Sequence, residues 1–208
     1  MRKLATLLLL ALAAPALAAP PLTDTAPLLA QPVLSFDGTQ WQADSTHPSA
    51  YLVGMTRAEG MTEGEGPVIA ARQGAPRSGK GGVAQVRAAE EWRGKRVRLT
   101  ARLKSRDAFA QMVMHILSGP AGTENMRSIA ARPLLGTSDW QNFQIVMDVP
   151  KDAEDIVYGF YLSGDKGAVW GDAFKLEAVG TDVAPSRPPL AASFTAPSMI
   201  RSYSGDSD

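Results

Sequence analysis

An antiparallel β-sandwich of jelly-roll type is the fold this 208-residue sequence predicts, and three features predict it. The first is residues 139–178, DWQNFQIVMDVPKDAEDIVYGFYLSGDKGAVWGDAFKLEA, which read as three strands joined by two turns. Phe143, Ile145, Met147 and Val149 alternate with Gln144 and Asp148, the two-residue period of a half-buried strand, and Pro150 stops it because proline cannot donate to a ladder. A second strand runs from Ile156 to Leu162. Ser163-Gly164-Asp165-Lys166-Gly167 then returns the chain through Val169–Glu177. The second feature is a succession of about nine short strand-like segments separated by turn signals. The third is the lack of any long helical period or internal repeat.

Taken in order, the chain starts with the basic Met1-Arg2-Lys3, an apolar run from Leu4 to Ala14 and the small-x-small sequence Ala16-Leu17-Ala18. This is the pattern of a secretory signal peptide over residues 1–18, with an apolar run too short to span a bilayer comfortably. No membrane insertion is expected after its cleavage. Residues 19–32, rich in Pro, Ala and Leu, read as a linker, residues 33–179 as the sandwich domain, and residues 180–208, rich in Pro, Ser, Ala and Asp, as a disordered tail. Within the domain, Val33–Trp41, Tyr51–Thr56, Val68–Arg72 and Val83–Arg87 are expected strands, and Ala88–Trp92 a single helical turn. Arg57–Pro67 is expected as a loop or mobile hairpin. Lys95–Lys104 alternates Arg96, Arg98, Arg102 and Lys104 with Val97, Leu99, Ala101 and Leu103, a strand with one wet and one buried face. Phe109–Leu117 is apolar on both faces, as a central strand would be. Gly119–Gly136 reads as irregular. Gly74–Gly82, GAPRSGKGG, lacks the G-x-x-x-x-G-K-[ST] pattern and a following helix, so it reads as a flexible turn and not a phosphate loop.

Composition excludes some classes of function. Lysine plus arginine equals aspartate plus glutamate at 21 each, which argues against electrostatically driven nucleic-acid binding. No cysteine is present, so there is no disulfide framework, and an exported chain of this kind, periplasmic or secreted, must rely on its core. The two histidines stand in no catalytic motif: His47 precedes Pro48 in a loop and His115 lies inside a strand.

The segments WRGKRVRLTARLKS, FAQMVMHI and NMRSIAARPLLGTSDWQNFQIVMDVPKDAEDIVYGFYLSGDKGAVWGDAFKLE resemble a bacterial jelly-roll module. That module occurs in exported proteins and appended to transcription regulators, and is similar to galactose-binding-like carbohydrate-binding modules. The resemblance covers roughly Leu34 to Val179 and specifies fold more than function. The sequence departs from it at His115, where the module often has arginine. The resemblance implies non-catalytic binding of a carbohydrate or glycan-like ligand. A protein-interaction or structural accessory module is the alternative, and a hydrolase a marginal third.

Candidate ligand contacts are Tyr161, on the less apolar face of its strand, with Gln111, His115 and Asn125 expected near the same sheet. Period two also places Asp172 beside Phe174 and Leu176 on a core-facing row, where an unpaired carboxylate is costly. In the modules this chain resembles, the first and last strands lie close together and an acidic residue from each often holds a structural calcium. Asp37 and Asp172 are therefore the candidate cation ligands, with turn amides or a basic partner for Asp172 as the other solution.

Overall fold

The computed structural model describes residues 41–119 and 125–187. These form nine strands: β1 (Gln42–Ser45), β2 (Tyr51–Thr56), β3 (Gly66–Ala71), β4 (Lys80–Ala88), β5 (Arg96–Ser118), β6 (Asn125–Ala130), β7 (Leu134–Asp148), β8 (Ala153–Ser163) and β9 (Ala168–Val179). Short 3-10 turns occupy Pro48–Ala50 and Glu90–Trp92. Every pairing is antiparallel, in the order β1-β4-β8-β5-β9-β3-β2, with β6 and β7 also paired to β5.

The two strands expected at Lys95–Lys104 and Phe109–Leu117 are one 23-residue strand, β5, which serves both layers. Its first half lies between β7 and β9, and its second half pairs with β8 on one side and with β6 and the start of β7 on the other. Between the halves the register with β7 slips twice, at Leu103/Ser105 and Ser105/Ala108, and Asp107 adopts φ 48°. Such bulges bend a strand and let it pass from one sheet to the other. The polar run Ser105-Arg106-Asp107 supplies the residue type for it, since aspartate tolerates left-handed backbone better than most.

The core lies between the layers. Val97, Leu99, Ala101 and Leu103 of β5 meet Phe143, Ile145 and Met147 of β7, and Ala110, Met112, Met114 and Ile116 meet Ile156, Tyr158, Phe160 and Leu162 of β8. These are the alternating rows expected from the sequence. Trp41 adds edge-on contacts to Tyr158 and Phe174, with ring centroids 6.5 and 4.7 Å apart. The architecture is a jelly-roll β-sandwich.

Three expectations need correction. Gly119–Gly136 is not irregular throughout: β6 and the start of β7 lie within it and cover the second half of β5. The end of GAPRSGKGG is not a flexible turn, because Lys80-Gly81-Gly82 opens β4. There a Cβ on Gly81 would sit 2.7 Å from the Tyr51 ring, so the glycine serves close packing. The tail is not loose from its start. The Arg96 guanidinium donates to the carbonyls of Thr181 (2.9 Å) and Val183 (2.8 Å), and Ser186 and Val146 exchange two bonds at 2.9 Å. The signal peptide, the linker, residues 33–40 with Asp37, and residues 188–208 lie outside the described residues.

Candidate functional site

The β4-β8-β5 sheet presents a second face, opposite the core, and register determines which side chains share it. Tyr161 of β8 stands directly across from Gln111 of β5 and from Gly82 of β4. One step along, Ser163 stands between Phe109 of β5 and Lys80 of β4, and Phe109 pairs onward with Leu135 of β7. Phe109, Leu135, Tyr161, Gln111 and Lys80 therefore form one contiguous patch.

Phe109 and Leu135 are the exposed large hydrophobic residues among those described, at 41% and 63%. Tyr161 is half-buried. Its hydroxyl donates to Gln111 Oε1, and Gln111 Nε2 donates to the Ala131 carbonyl at 3.1 Å. The amide is thus held at both ends, with the phenol fixed against it. Burial pushes the Tyr161 phenol up to about 12, so it stays protonated and remains a donor at any ordinary pH. The Lys80 ammonium lies 5.3 Å from the Tyr161 ring centroid, a cation–π distance. The arrangement offers aromatic and aliphatic surface beside a cationic group, with the Gln111 amide buried beneath as the support of the phenol, a combination suited to a ring with one apolar face and polar edges.

The sequence candidates separate on this map. Tyr161 and Gln111 are brought together as expected. His115 shares their face but is fully buried, cross-strand from Val157 and Ser128, so it cannot touch a ligand at the surface. Burial drives its imidazole down to about 4. Asn125 pairs with Ser118 at the far end of β5, seven residues from Gln111 and of opposite parity, so it belongs to neither the patch nor its face. Phe109 was concealed in a strand apolar on both faces. Its position beside Tyr161 follows only once the β5–β8 register is known.

Asp172 is corrected in direction as well as in role. Between Thr100/Lys175 and Arg102/Asp172 the register advances two residues on β5 but three on β9, and Ala173 takes φ 52°. This extra residue reverses the parity of the strand. Asp172 therefore turns away from Phe174 and Leu176 onto the outer face, although it remains only 2% exposed. Its Oδ2 accepts from the Thr62 amide and hydroxyl, both at 2.9 Å, and from Arg102 at 3.0 Å, while Oδ1 accepts from the Glu63 amide at 3.3 Å. Burial pushes the carboxyl up, but the Thr62 and Glu63 donors and Arg102 outweigh it and hold it below the ordinary range. This is the solution by turn amides and a basic partner. An arginine at 3.0 Å also opposes a divalent cation at the same oxygens.

The Asp172 network also explains residues 57–65. Trp140 Nε1 donates to the Glu59 carbonyl at 2.9 Å, Arg102 donates to the Gly60 carbonyl at 3.1 Å, and Met61 packs on Val68, Ala168 and Trp170. Of the two expectations for this segment, a loop or a mobile hairpin, the loop is what forms, and it is fastened to the outer sheet.

No protein-family model matches the chain. An uncharacterised HTH-type transcriptional regulator of Bacillus subtilis, YbfP, is 34% identical over 97 residues, which is 46% of this chain and 32% of that protein. The chain thus spans about a third of the length of the curated relative it matches. Among solved structures, the enzymatically active domain of bacteriophage CBA120 tailspike protein 4 aligns with TM-score 0.55 at 14% identity, over 69% of this chain and 20% of that one. The CBM22-1–GH10 modules of Clostridium thermocellum xylanase 10B, complexed with xylohexaose, align with TM-score 0.52 at 16% identity, over 70% of this chain and 27% of that one. The fold is that of jelly-roll carbohydrate-binding modules. At these identities the likeness is one of architecture, and the ligand must be argued from the side chains.

Proposed function

We propose that this protein is an exported, non-catalytic carbohydrate-binding module that holds a saccharide on the Phe109–Tyr161 patch. The observation that carries the reading is an exposed phenylalanine diagonal to a tyrosine whose hydroxyl and amide partner are already fixed. A sugar ring stacks its C–H face on such aromatics, while Lys80 lies within the patch to meet its hydroxyls and the buried Gln111 beneath them holds the Tyr161 phenol in place. Preorganisation limits the ordering cost of binding. The xylanase chain with which this fold aligns in part, CBM22-1–GH10 modules complexed with xylohexaose, supports the ligand class. The amino-terminal pattern of Met1–Ala18 supports export, and cell fractionation with antibody detection tests it.

The direct test is a glycan-array screen of the purified protein. Binding to a restricted set of oligosaccharides is expected. Uniform absence of binding across neutral and acidic glycans would overturn the proposal.

A further inference from the structure

The outer face of the other layer carries a separate cleft of about 710 Å3, lined by Leu52, Ala70, Arg72, Gln73, Arg106 and Asp107. Register explains its shape. Arg106 stands across from Ala168 of β9, Ala168 from Ala70 of β3, and Ala70 from Leu52 of β2. Two alanines thus lie between longer side chains and leave a trough across four strands. Arg72, just past the end of β3, lines the same cleft.

The frame is fixed by backbone bonds. The Arg72 amide donates to the Ala50 carbonyl at 2.9 Å and the Ala71 amide to Gly167 at 3.0 Å. The Asp107 amide donates to Thr137 Oγ1 at 3.0 Å. Arg106 lies 5.8 Å from the Trp170 ring centroid, which steadies its side chain. Asp107, the carboxylate in the wall, is held by the Lys166 ammonium at 2.9 Å, so its charge is locally compensated.

We infer that this trough is a second binding site, for a carboxylate-bearing saccharide. Two guanidiniums, on β5 and at the end of β3, line the cleft; either can recognise a planar carboxylate by paired N–H donation, and each carries five donors, so an existing contact does not exhaust it. The low alanine floor at Ala70 leaves room for the apolar face of the sugar ring, and Gln73 can both donate to and accept from hydroxyls. The ligand class is set by this chemistry, and the site shares no residue with the Phe109–Tyr161 patch.

The probe is a trimer of galacturonic acid, titrated calorimetrically into the full chain at low salt, with neutral galactotriose of the same length and sodium sulfate as comparators. At least tenfold tighter binding of the acidic trimer is expected, reduced about tenfold by Arg106→Gln or Arg72→Gln and unaffected by Phe109→Ala. Retained melting temperature in the arginine variants separates loss of the site from loss of fold. NMR shift changes at Ala70 and Ala71 on titration place the ligand independently of any variant. Equal binding of acidic and neutral trimers, or unchanged binding in both arginine variants, would overturn the inference. Displacement of the trimer by sulfate at equal concentration would also overturn it, by reducing the trough to a simple anion site. Loss of acidic-trimer binding in Phe109→Ala alone would assign that ligand to the other patch.

Discussion

His115 and Asp172 show how position decides what a polar residue does. His115 is fully buried and its imidazole falls from 6.5 to about 4. The unfolded chain therefore binds a proton between those values that the folded chain refuses. The share of stability that depends on His115 is complete above pH 6.5 and declines as pH falls toward 4, by roughly 3 kcal/mol over the full interval. Replacing His115 with leucine is expected to flatten that decline, measured by urea denaturation at pH 7 and pH 4.5. Asp172 acts lower on the scale. Its carboxyl is held below the ordinary range, so its contribution is present above about pH 4 and is lost as pH falls through the folded value. Asp172→Ala leaves Arg102 and the Thr62 and Glu63 amides without their shared acceptor, and is expected to destabilise by about 2–4 kcal/mol at pH 7. The same denaturation series measures it, and millimolar calcium is expected to leave the midpoint unchanged.

At the scale of elements, two irregularities matter more than the regular strands. The extra residue at Ala173 sets the parity of β9, so that Asp172 faces Arg102 while Leu176 faces the core. Ala173 holds φ 52°, a backbone glycine accepts and a β-branched residue resists. Ala173→Gly is expected to keep or slightly raise the melting temperature, and Ala173→Val to cost about 1–2 kcal/mol. The second irregularity is the end of the domain. Residues 181–187 answer Arg96 and Val146 through several hydrogen bonds, each worth about 1 kcal/mol net. Truncation after Gly180 is expected to lower the melting temperature by about 5–10 °C relative to truncation after Arg187, by scanning calorimetry. Both features were hidden from the sequence for one reason. A period-two reading carries parity forward without interruption, and proline-rich composition conceals the few residues that dock.

At the scale of the molecule, the alternating rows were the legible part. Phe143–Ile145–Met147, Ile156–Tyr158–Phe160–Leu162 and Ala110–Met112–Met114–Ile116 all sit in the core where alternation places them, because burying one face of each strand is the strongest requirement on the sequence. The site was legible only by halves. Tyr161 could be assigned to the less apolar face from its own strand, whereas Gln111, like Phe109, stands in a strand apolar on both faces and is placed by its pairing with Tyr161. Distance along β5 separates Asn125 from them, and complete burial removes His115. Phe109 and Leu135 gain their meaning from long-range pairing, which no local pattern encodes. The match to a transcription regulator over less than half of this chain fits a module reused in different settings, with the surface and not the fold determining what it holds.

On the proposed function, a saccharide rests on the Phe109–Tyr161 patch. The measurement that tests it most directly is the affinity of Phe109→Ala and Tyr161→Phe for the best oligosaccharide from the array, by titration calorimetry beside a melting curve. Phe109 is exposed, so its removal is expected to leave the melting temperature within a few degrees while weakening binding at least tenfold. Tyr161→Phe removes the hydroxyl that fixes Gln111 and is expected to weaken binding by a smaller factor. Undiminished affinity in Phe109→Ala, with the fold intact, would contradict the account.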